Sequence, residues 1–191
     1  MFKANIMTIL VTGGLGFIGS NFIRKWSSIT NEPLVCIDNN QLNNLENHDC
    51  LFKNKNKLFV TSIGNKKHVK NILLKYEPRL VINFAAESNV DKSIKNPFKC
   101  YQNNCTETLL FLEEVTNYYL NNPQINDEFQ FVQISTDEVY GSLEKEDRQS
   151  IETDLLNPKN PYSASKVATE HMLRAFQNTY GLPYKITRCT N

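Results

Sequence analysis

The sequence lacks the features that mark membrane, secreted and nucleic-acid-binding proteins. Its apolar runs fall well short of the roughly 20 residues that a membrane-spanning helix needs, and the segment from Met1 to Ile6 is too short and polar for a signal peptide. The five cysteines show no C-x-x-C spacing, which indicates free thiols in a reducing compartment and no metal site. The formal net charge is only +1, and no basic block is present to bind nucleic acid. We therefore expect a cytoplasmic protein without a membrane, nucleic-acid or metal partner.

The remaining composition is that of a globular domain. Of the 191 residues, 40% are hydrophobic and 21% are charged, and the length suffices for one domain with a sizeable core. Apolar runs alternate with stretches of helical periodicity, which is typical of a parallel sheet with right-handed crossovers. We predict one α/β domain over residues 1–191, a Rossmann-like doubly wound parallel sheet with helices on both faces. The predicted strands are 8–11, 34–37, 58–60, 80–84, 129–135 and 184–187, and the predicted helices are 17–28, 69–76, 98–120 and 162–180.

A glycine-rich stretch stands between the first predicted strand and the first predicted helix. Residues 12–19 read T-G-G-L-G-F-I-G, and Gly14, Gly16 and Gly19 fit the G-x-G-x-x-G fingerprint. One glycine permits the tight turn, another lets the backbone approach a pyrophosphate, and the third lets the helix pack on the strand. The N-terminus of the helix then offers free N–H groups to the phosphates. With a strand before it and a helix after it, the stretch predicts a dinucleotide site rather than a merely structural turn.

An acidic residue ends the second predicted strand, about 20 residues beyond the glycines, as the fingerprint requires. Asp38 can accept hydrogen bonds from the hydroxyls of an adenosine ribose, and its charge would repel the 2′-phosphate of NADP. Asn39 and Asn40 carry no cation to bind that phosphate. The sequence therefore favours NAD as the cofactor. The alternative is a turn-forming role for Asp38, because turns also favour Asp and Asn.

A phenol and an ammonium lie four residues apart on the last predicted helix. Tyr162 and Lys166 share one helix face at this spacing. A nearby cation favours the phenolate, so we expect Lys166 to lower the pKa of Tyr162. Tyr162 could then accept a hydroxyl proton as a hydride leaves for nicotinamide. An exposed pair without function is the alternative, and the glycine loop makes catalysis the better interpretation.

Two adjacent carboxylates follow the fifth predicted strand. Thr136, Asp137 and Glu138 lie at the carboxyl edge of the sheet, where ligands bind in folds of this class. Neighbouring carboxylates in a cleft repel each other, and their pKa values can separate to give an acid and a base. A solvated acidic turn is the alternative.

Five segments of the chain together resemble one enzyme family. They read T-G-G-L-G-F-I-G-S-N-F at 12–22, N-L-E at 44–46, A-A-E-S-N-V-D-K-S-I at 85–94, S-T-D-E-V-Y-G at 135–141 and P-Y-S-A-S-K at 161–166. They resemble the nucleotide-sugar 4,6-dehydratases, above all those of dTDP-glucose, which are extended short-chain dehydrogenases/reductases. The resemblance covers nearly the whole chain. Its discriminating part is the S-T-D-E-V-Y-G segment, because related 4-epimerases lack that acid pair.

The resemblance and the glycine fingerprint together predict the site residues. The predicted catalytic residues are Thr136, Asp137, Glu138, Tyr162 and Lys166. The predicted cofactor contacts are Gly13, Gly16, Phe17, Ile18, Gly19, Asp38, Asn39, Asn40, Gln41, Ser62, Ile63, Phe84, Ala85, Ala86, Glu87, Ser88 and Asn103, with Tyr162 and Lys166. Within that set, the resemblance implies that Ser62 and Ile63 lie beside adenine. The predicted substrate contacts are Ser88, Thr136 and Asn191.

The resemblance also implies a reaction. NAD-dependent dehydration would convert dTDP-glucose, or UDP-glucose, to a 4-keto-6-deoxy sugar, and we expect a homodimer. Tyr162 would take the C4 hydroxyl proton, Glu138 would abstract the C5 proton, and Asp137 would protonate the departing C6 hydroxyl. Two alternatives remain open, a sugar-nucleotide 4-epimerase or related enzyme and a catalytically incomplete NAD-binding fragment.

The chain departs from the family pattern at several positions. The family usually has Asp at position 62, Thr at 103, His at 83 and 89, and Gly at 107, where this chain has Ser62, Asn103, Asn83, Asn89 and Glu107. The sequence also stops at Asn191, where the family's N-N-Y-G-P element begins. We therefore expect the C-terminal substrate domain to be absent, and the chain by itself to bind NAD with little dehydratase turnover.

Overall fold

The protein forms one six-stranded parallel sheet. The computed structural model describes residues 8–40, 51–52, 55–125, 127–142 and 148–190. The strand order is β3-β2-β1-β4-β5-β6, and every neighbouring pair is parallel. The predicted doubly wound sheet is therefore confirmed. The strands are β1 (Thr8–Thr12), β2 (Leu34–Asp38), β3 (Lys57–Val60), β4 (Pro78–Asn83), β5 (Gln130–Thr136) and β6 (Tyr184–Cys189).

The α-helices of the described residues connect the strands. They are α1 (Phe17–Ile29), α2 (Lys66–Tyr76), α3 (Val90–Lys95), α4 (Pro97–Tyr101), α5 (Glu107–Leu120) and α6 (Pro161–Tyr180). A π-helical segment, Gln102–Thr106, joins α4 to α5. Within the described ranges, none of the helices has the length and apolar character required to span a bilayer.

Alternate residues of β1 face two separate hydrophobic cores. Ile9 and Val11 pack on one face of the sheet with Ile23 of α1. Leu10 packs on the other face with buried side chains of α2, α5 and α6, among them Phe111 and Leu173. These side chains are all fully buried, and each such burial stabilises the fold by about 1.5–3 kcal/mol. Helices therefore cover both faces, as predicted.

The helix predicted over 98–120 is confirmed as a continuous helical segment formed by α4, the π-helical segment and α5. Asn89 caps α3 and Asn96 caps α4, each by accepting a hydrogen bond from a backbone N–H of the first turn. Pro97 then begins α4, because proline is well suited to the first position of a helix. The π-helical segment interrupts the same region further on. Hydrophobic periodicity thus missed the short helix α3, which capping separates from α4, and the π-helical segment within the longer helix.

A row of polar side chains crosses the centre of the sheet. Thr12, Asn83 and Gln133 are adjacent in register on β1, β4 and β5, and each is at most 1% exposed. The Thr12 hydroxyl donates to Asn83 Oδ1, and Asn83 Nδ2 donates to Gln133 Oε1 at 2.9 Å. Buried polar groups are costly unless they are paired, so these bonds favour one register and align the carboxyl ends of the three strands.

Candidate active site

A cleft of about 450 Å³ runs along the carboxyl edge of the sheet. It extends from the end of β3 across the glycine loop to β5 and the start of α6, which is where ligands bind in open α/β sheets. Most of the predicted site residues line it. They are Gly13, Gly16, Phe17, Ile18, Gly19, Asp38, Asn39, Ile63, Phe84, Ala85, Ala86, Glu87, Ser88, Asn103, Thr136, Tyr162 and Lys166.

The glycine loop leaves no room for side chains. A Cβ atom on Gly13 would lie 2.6 Å from the backbone nitrogen of Ala85, and one on Gly19 would lie 2.3 Å from the carbonyl oxygen of Gly13. Gly13 also has a φ of +69°, which disfavours other residues. Gly14 is also tightly packed, since its Cβ would meet the Cys36 sulfur at 2.4 Å, but it does not line the cleft. The loop is therefore tightly packed against the protein, and its residues Gly13, Gly16 and Gly19 line the cleft, where they form a backbone cradle.

The first turn of α1 is available to an anion. The helix begins after Gly16, which provides no side-chain cap, and its first turn carries no acidic residue. The N–H groups of such a turn have no partner within the helix, and the dipole end is positive. Phe17 is 84% exposed at this position. The turn and the cradle together form a site for a phosphate-bearing ligand.

Asp38 serves both the turn and the cleft. Its Oδ2 accepts the Leu15 N–H at 2.9 Å, and its Oδ1 accepts the Asn40 N–H at 2.7 Å. These bonds fix the carboxylate between the glycine loop and the end of β2. Asp38 and Asn39 line the cleft, whereas Asn40 is not among its lining residues. The two interpretations of Asp38 are thus compatible.

Tyr162 is held at the opposite end of the cleft. Asn160 caps α6 with a capping box, and the Tyr162 N–H donates to Ser93 Oγ at 3.2 Å. Burial raises the pKa of the Tyr162 phenol, Glu138 and Asp137 raise it further, and a hydrogen bond with Thr136 opposes the shift. The predicted lowering of this pKa by Lys166 is therefore wrong in this structure, because burial outweighs the other influences.

Lys166 is a buried cation that faces the cleft. It is 4% exposed, and burial lowers the pKa of its ammonium to about 8, although Glu170 acts in the opposite direction. Within the described ranges, no other residue forms a hydrogen bond or ion pair with its Nζ. A buried ammonium without such a partner is costly, so the cleft offers a donor to the oxygen atoms of a ligand.

The acid pair lies beside Tyr162 but opens on a second cavity. Asp137 and Glu138 begin a short 3₁₀ turn after β5 and line a neighbouring cavity of about 840 Å³. Glu138 Oε2 accepts Asn160 Nδ2 at 2.8 Å, and the Thr136 hydroxyl donates to Asp137 Oδ1 at 3.3 Å. Because Asn160 caps α6 two residues before Tyr162, its bond holds the Glu138 carboxylate at the start of that helix. Both carboxylates raise the pKa of the Tyr162 phenol.

Asn104 connects two segments of the site by hydrogen bonds, a role that the sequence analysis did not predict. Its Oδ1 accepts the Glu87 N–H at 2.7 Å, and its Nδ2 donates to the Glu87 carbonyl and to Ser165 Oγ at 3.0 and 2.9 Å. Asn104 is 1% exposed and lies in the π-helical segment, a feature frequent at functional sites. It ties the loop after β4 to α6, and therefore to Tyr162.

Some predictions and observations do not coincide. Ser62 is not among the residues that line the cleft, and its hydroxyl donates to Glu107 instead. Gln41, Asn191 and the N-L-E segment 44–46 lie outside the described residues. The lining residues that sequence reasoning missed are Ile37, Thr61, Glu107, Ile134, Ser135 and Cys189. Most of these stand at or just beyond strand ends, which is the signal that could have found them.

Sequence comparison links the chain to sugar-nucleotide enzymes. A family model described as GDP-mannose 4,6 dehydratase matches residues 10–191. The dTDP-glucose 4,6-dehydratase of Xanthomonas campestris pv. campestris (strain B100) is 42% identical over 186 residues, which are 96% of this chain and 53% of that protein. The dTDP-glucose 4,6-dehydratase of Escherichia coli is 37% identical over 196 residues, with coverages of 97% and 54%. The chain spans about half the length of the curated relatives it matches.

Solved structures share the fold. The dTDP-glucose 4,6-dehydratase of Bacillus anthracis str. Ames, in complex with NAD, has a TM-score of 0.81 at 34% identity, covering 97% of this chain and 55% of that chain. The UDP-glucose 4-epimerase of Thermus thermophilus, in complex with NAD, has a TM-score of 0.81 at 29% identity, with coverages of 95% and 54%. Dehydratases and epimerases therefore share this architecture. From the family model, the dehydratase relatives and the cleft geometry together, the chain belongs to the nucleotide-sugar 4,6-dehydratase family of extended short-chain dehydrogenases/reductases.

Proposed function

We propose that the protein binds NAD along the cleft and acts in the dehydration of a nucleoside-diphosphate-glucose, with dTDP-glucose as the substrate that its relatives favour. The observation that carries the proposal is the position of Asp137 and Glu138. Glu138 is bonded to Asn160, which caps the helix that carries Tyr162. Asp137 is bonded to Thr136, which lines the cleft together with Tyr162 and the glycine loop. An NAD-dependent oxidation step and an acid–base elimination step thus have their groups in one place.

The described residues fit an NAD-type dinucleotide. The glycine loop suits the pyrophosphate, because Gly13 and Gly19 line the cleft beside the uncapped first turn of α1. Asp38 at the end of β2 suits the hydroxyls of the adenosine ribose. The ammonium of Lys166, without a bonded acceptor in the described part of the chain, suits the hydroxyls of the other ribose. The Asp38 carboxylate disfavours NADP, because it would repel a 2′-phosphate.

The side chains around Tyr162 divide the proton transfers between them. When bound, the nicotinamide ring would take a hydride from C4 of the sugar and return it to C6 after water is lost, so that the net reaction is redox-neutral. Tyr162 takes the proton from the C4 hydroxyl. Burial raises the pKa of its phenol, and the hydrogen bond with Thr136 offsets only part of that shift. Glu138 removes the C5 proton, which a 4-keto group makes acidic, and Asp137 protonates the departing C6 hydroxyl. Ser88 and Thr136, which line the cleft, hold the sugar.

A sugar-nucleotide 4-epimerase is the second candidate, and the fold comparison favours it as much as the dehydratase. An epimerase needs Tyr162 and Lys166 but has no step for two carboxylates. The paired Asp137 and Glu138, each held by a hydrogen bond, support the dehydratase.

The experiment separates oxidation from elimination. A full-length version that carries the family's C-terminal substrate domain is mixed with NAD and dTDP-glucose in a single turnover, and NADH absorbance and water loss are followed separately. We expect Asp137→Asn and Glu138→Gln to keep most of the oxidation rate and to slow elimination by about 10²–10⁴-fold, the usual effect of general acid–base catalysis. Glu128→Gln is the control, because this exposed carboxylate precedes β5 at the opposite edge of the sheet. Elimination at the wild-type rate in both variants would refute the proposal.

A further inference from the structure

Glu107 places a carboxylate in the cleft that the reaction does not use. It is the first residue of α5, directly after the π-helical segment, and it lines the cleft near the end of β3. Its Oε2 accepts the hydroxyl of Ser62 at 2.6 Å. Tyr162, Asp137 and Glu138 stand at the other end, so Glu107 lies outside the proton-transfer groups described above.

The carboxylate of Glu107 is held in a fixed orientation. The Ser62 hydroxyl accepts the Gly64 N–H at 2.9 Å, which directs its single proton to Glu107. A Cβ on Gly64 would lie 3.0 Å from Glu107 Cγ, so this glycine lets the Glu107 stem pack closely. Among the described residues, no hydrogen bond engages Glu107 Oε1. One oxygen is therefore anchored, and the other is available to a ligand.

The strand order determines which part of a dinucleotide reaches Glu107. The glycine cradle follows β1, Asp38 ends the neighbouring β2, and β3 is the next strand outward. The Thr61 N–H, just beyond β3, donates to the Asp38 carbonyl at 2.9 Å. A ligand with its pyrophosphate at β1 and its ribose at Asp38 therefore places its base against the β3 end of the cleft, where buried Ile63 offers an apolar surface.

We propose that Glu107 is the residue that recognises the base of the cofactor, by accepting a hydrogen bond from the exocyclic 6-amino group of adenine. Ser62 is the positioning residue, and it acts through Glu107. This inference rests on the proposed binding of NAD. Because a carboxylate only accepts hydrogen bonds, a purine with a 6-carbonyl oxygen would place two acceptors against each other. The site would therefore discriminate between 6-amino and 6-oxo purines.

Calorimetric titration with two dinucleotides tests this directly. NAD is compared with nicotinamide hypoxanthine dinucleotide, which differs in having a carbonyl oxygen in place of the 6-amino group. We expect the wild-type protein to bind NAD at least about tenfold more tightly, the scale of one hydrogen bond to a charged group. Glu107→Gln should reduce this preference to about threefold or less, because an amide can both donate and accept. Glu107→Ala should abolish it, and Ser62→Ala should weaken it.

The matched control is Glu113→Gln on the same helix, where the carboxylate pairs with Lys66 on the surface. It should leave the ratio of the two affinities unchanged, and thermal melting should show that all variants fold. A wild-type preference below about twofold overturns the inference, and so does a full preference in Glu107→Gln. If the wild-type protein binds neither dinucleotide, the proposed function fails together with the inference. If it binds NAD without discriminating between the bases, the inference alone fails.

Discussion

The buried ammonium of Lys166 makes the stability of the fold depend on pH in an unusual direction. Burial lowers its pKa from 10.5 to about 8 in the folded protein. Below pH 8 the group is charged in both states, and the folded protein bears the cost of the buried charge. Between about pH 8 and 10.5 only the unfolded chain keeps the proton, so this group makes the free energy of unfolding rise with pH. Replacing Lys166 with methionine removes this contribution.

The size of the effect follows from the pKa difference. Each pKa unit corresponds to about 1.4 kcal/mol, so the shift of Lys166 amounts to about 3 kcal/mol across the window. The side chain is only 4% exposed, which leaves little solvent screening. We therefore expect Lys166→Met to be more stable than the wild type at pH 7 by up to about 3 kcal/mol, and the two proteins to approach each other by about pH 10.

Urea unfolding followed by circular dichroism measures this difference at pH 7, 8, 9 and 10. The comparison must be between the two proteins, because other groups titrate in the same range. Burial raises the pKa of Cys105 to about 11. Because the thiol then ionises more readily in the unfolded chain, this group makes the free energy of unfolding fall as pH rises. Because Lys166 itself lowers the pKa of Cys105, this contribution is removed by making the comparison in a Cys105→Ala background. A difference that stays constant from pH 7 to 10 would show that Lys166 is not a costly buried charge.

Three further outcomes follow from the site. Gly19→Ala should abolish detectable NAD binding in a calorimetric titration, whereas Gly16→Ala, whose Cβ would lie 3.3 Å from its nearest neighbour, should weaken it by about tenfold or less; equal losses would contradict the cradle. Glu170→Gln should lower the free energy of unfolding by about 3 kcal/mol, because the largely buried Arg188 loses its ion-pair partner. Adding Arg188→Met to this variant should recover part of the lost stability in the same urea assay. NAD affinity should fall as pH rises through about 8, since Lys166 then loses its charge; an unchanged affinity in Lys166→Met would argue against this contact.

The sequence predicted those parts of the fold that depend on local pattern. The apolar run before the glycines and the helical periodicity after them specify β1 and α1 within a few neighbouring positions. Asp38 could be placed because the fingerprint links its position to the glycines. In each case the signal and the structure lie in the same short segment.

The remainder depends on segments that meet only in the folded chain. Glu107 and Ser62 are 45 positions apart, and no local pattern shows that their side chains meet. The direction of the Tyr162 pKa shift was predicted wrongly for the same reason, since spacing reveals the neighbouring lysine but not the burial of the phenol. Asn104 resembles any polar residue of a helix until the loop at Glu87 and α6 are seen to share it.

The row formed by Thr12, Asn83 and Gln133 has a consequence for how this site can evolve. Each side chain is hydrogen-bonded to its neighbour in the row. Replacing one of them therefore leaves a buried polar group on the adjacent strand without its hydrogen-bond partner. Altering the row without loss of stability therefore requires matched changes on neighbouring strands. The same row fixes the register of β1, which leads into the glycine loop, relative to β5, which ends at Thr136. The buried row therefore keeps the distance between the glycine loop and the segment at Thr136 constant. The sequences of these two loops can change during evolution without altering that distance.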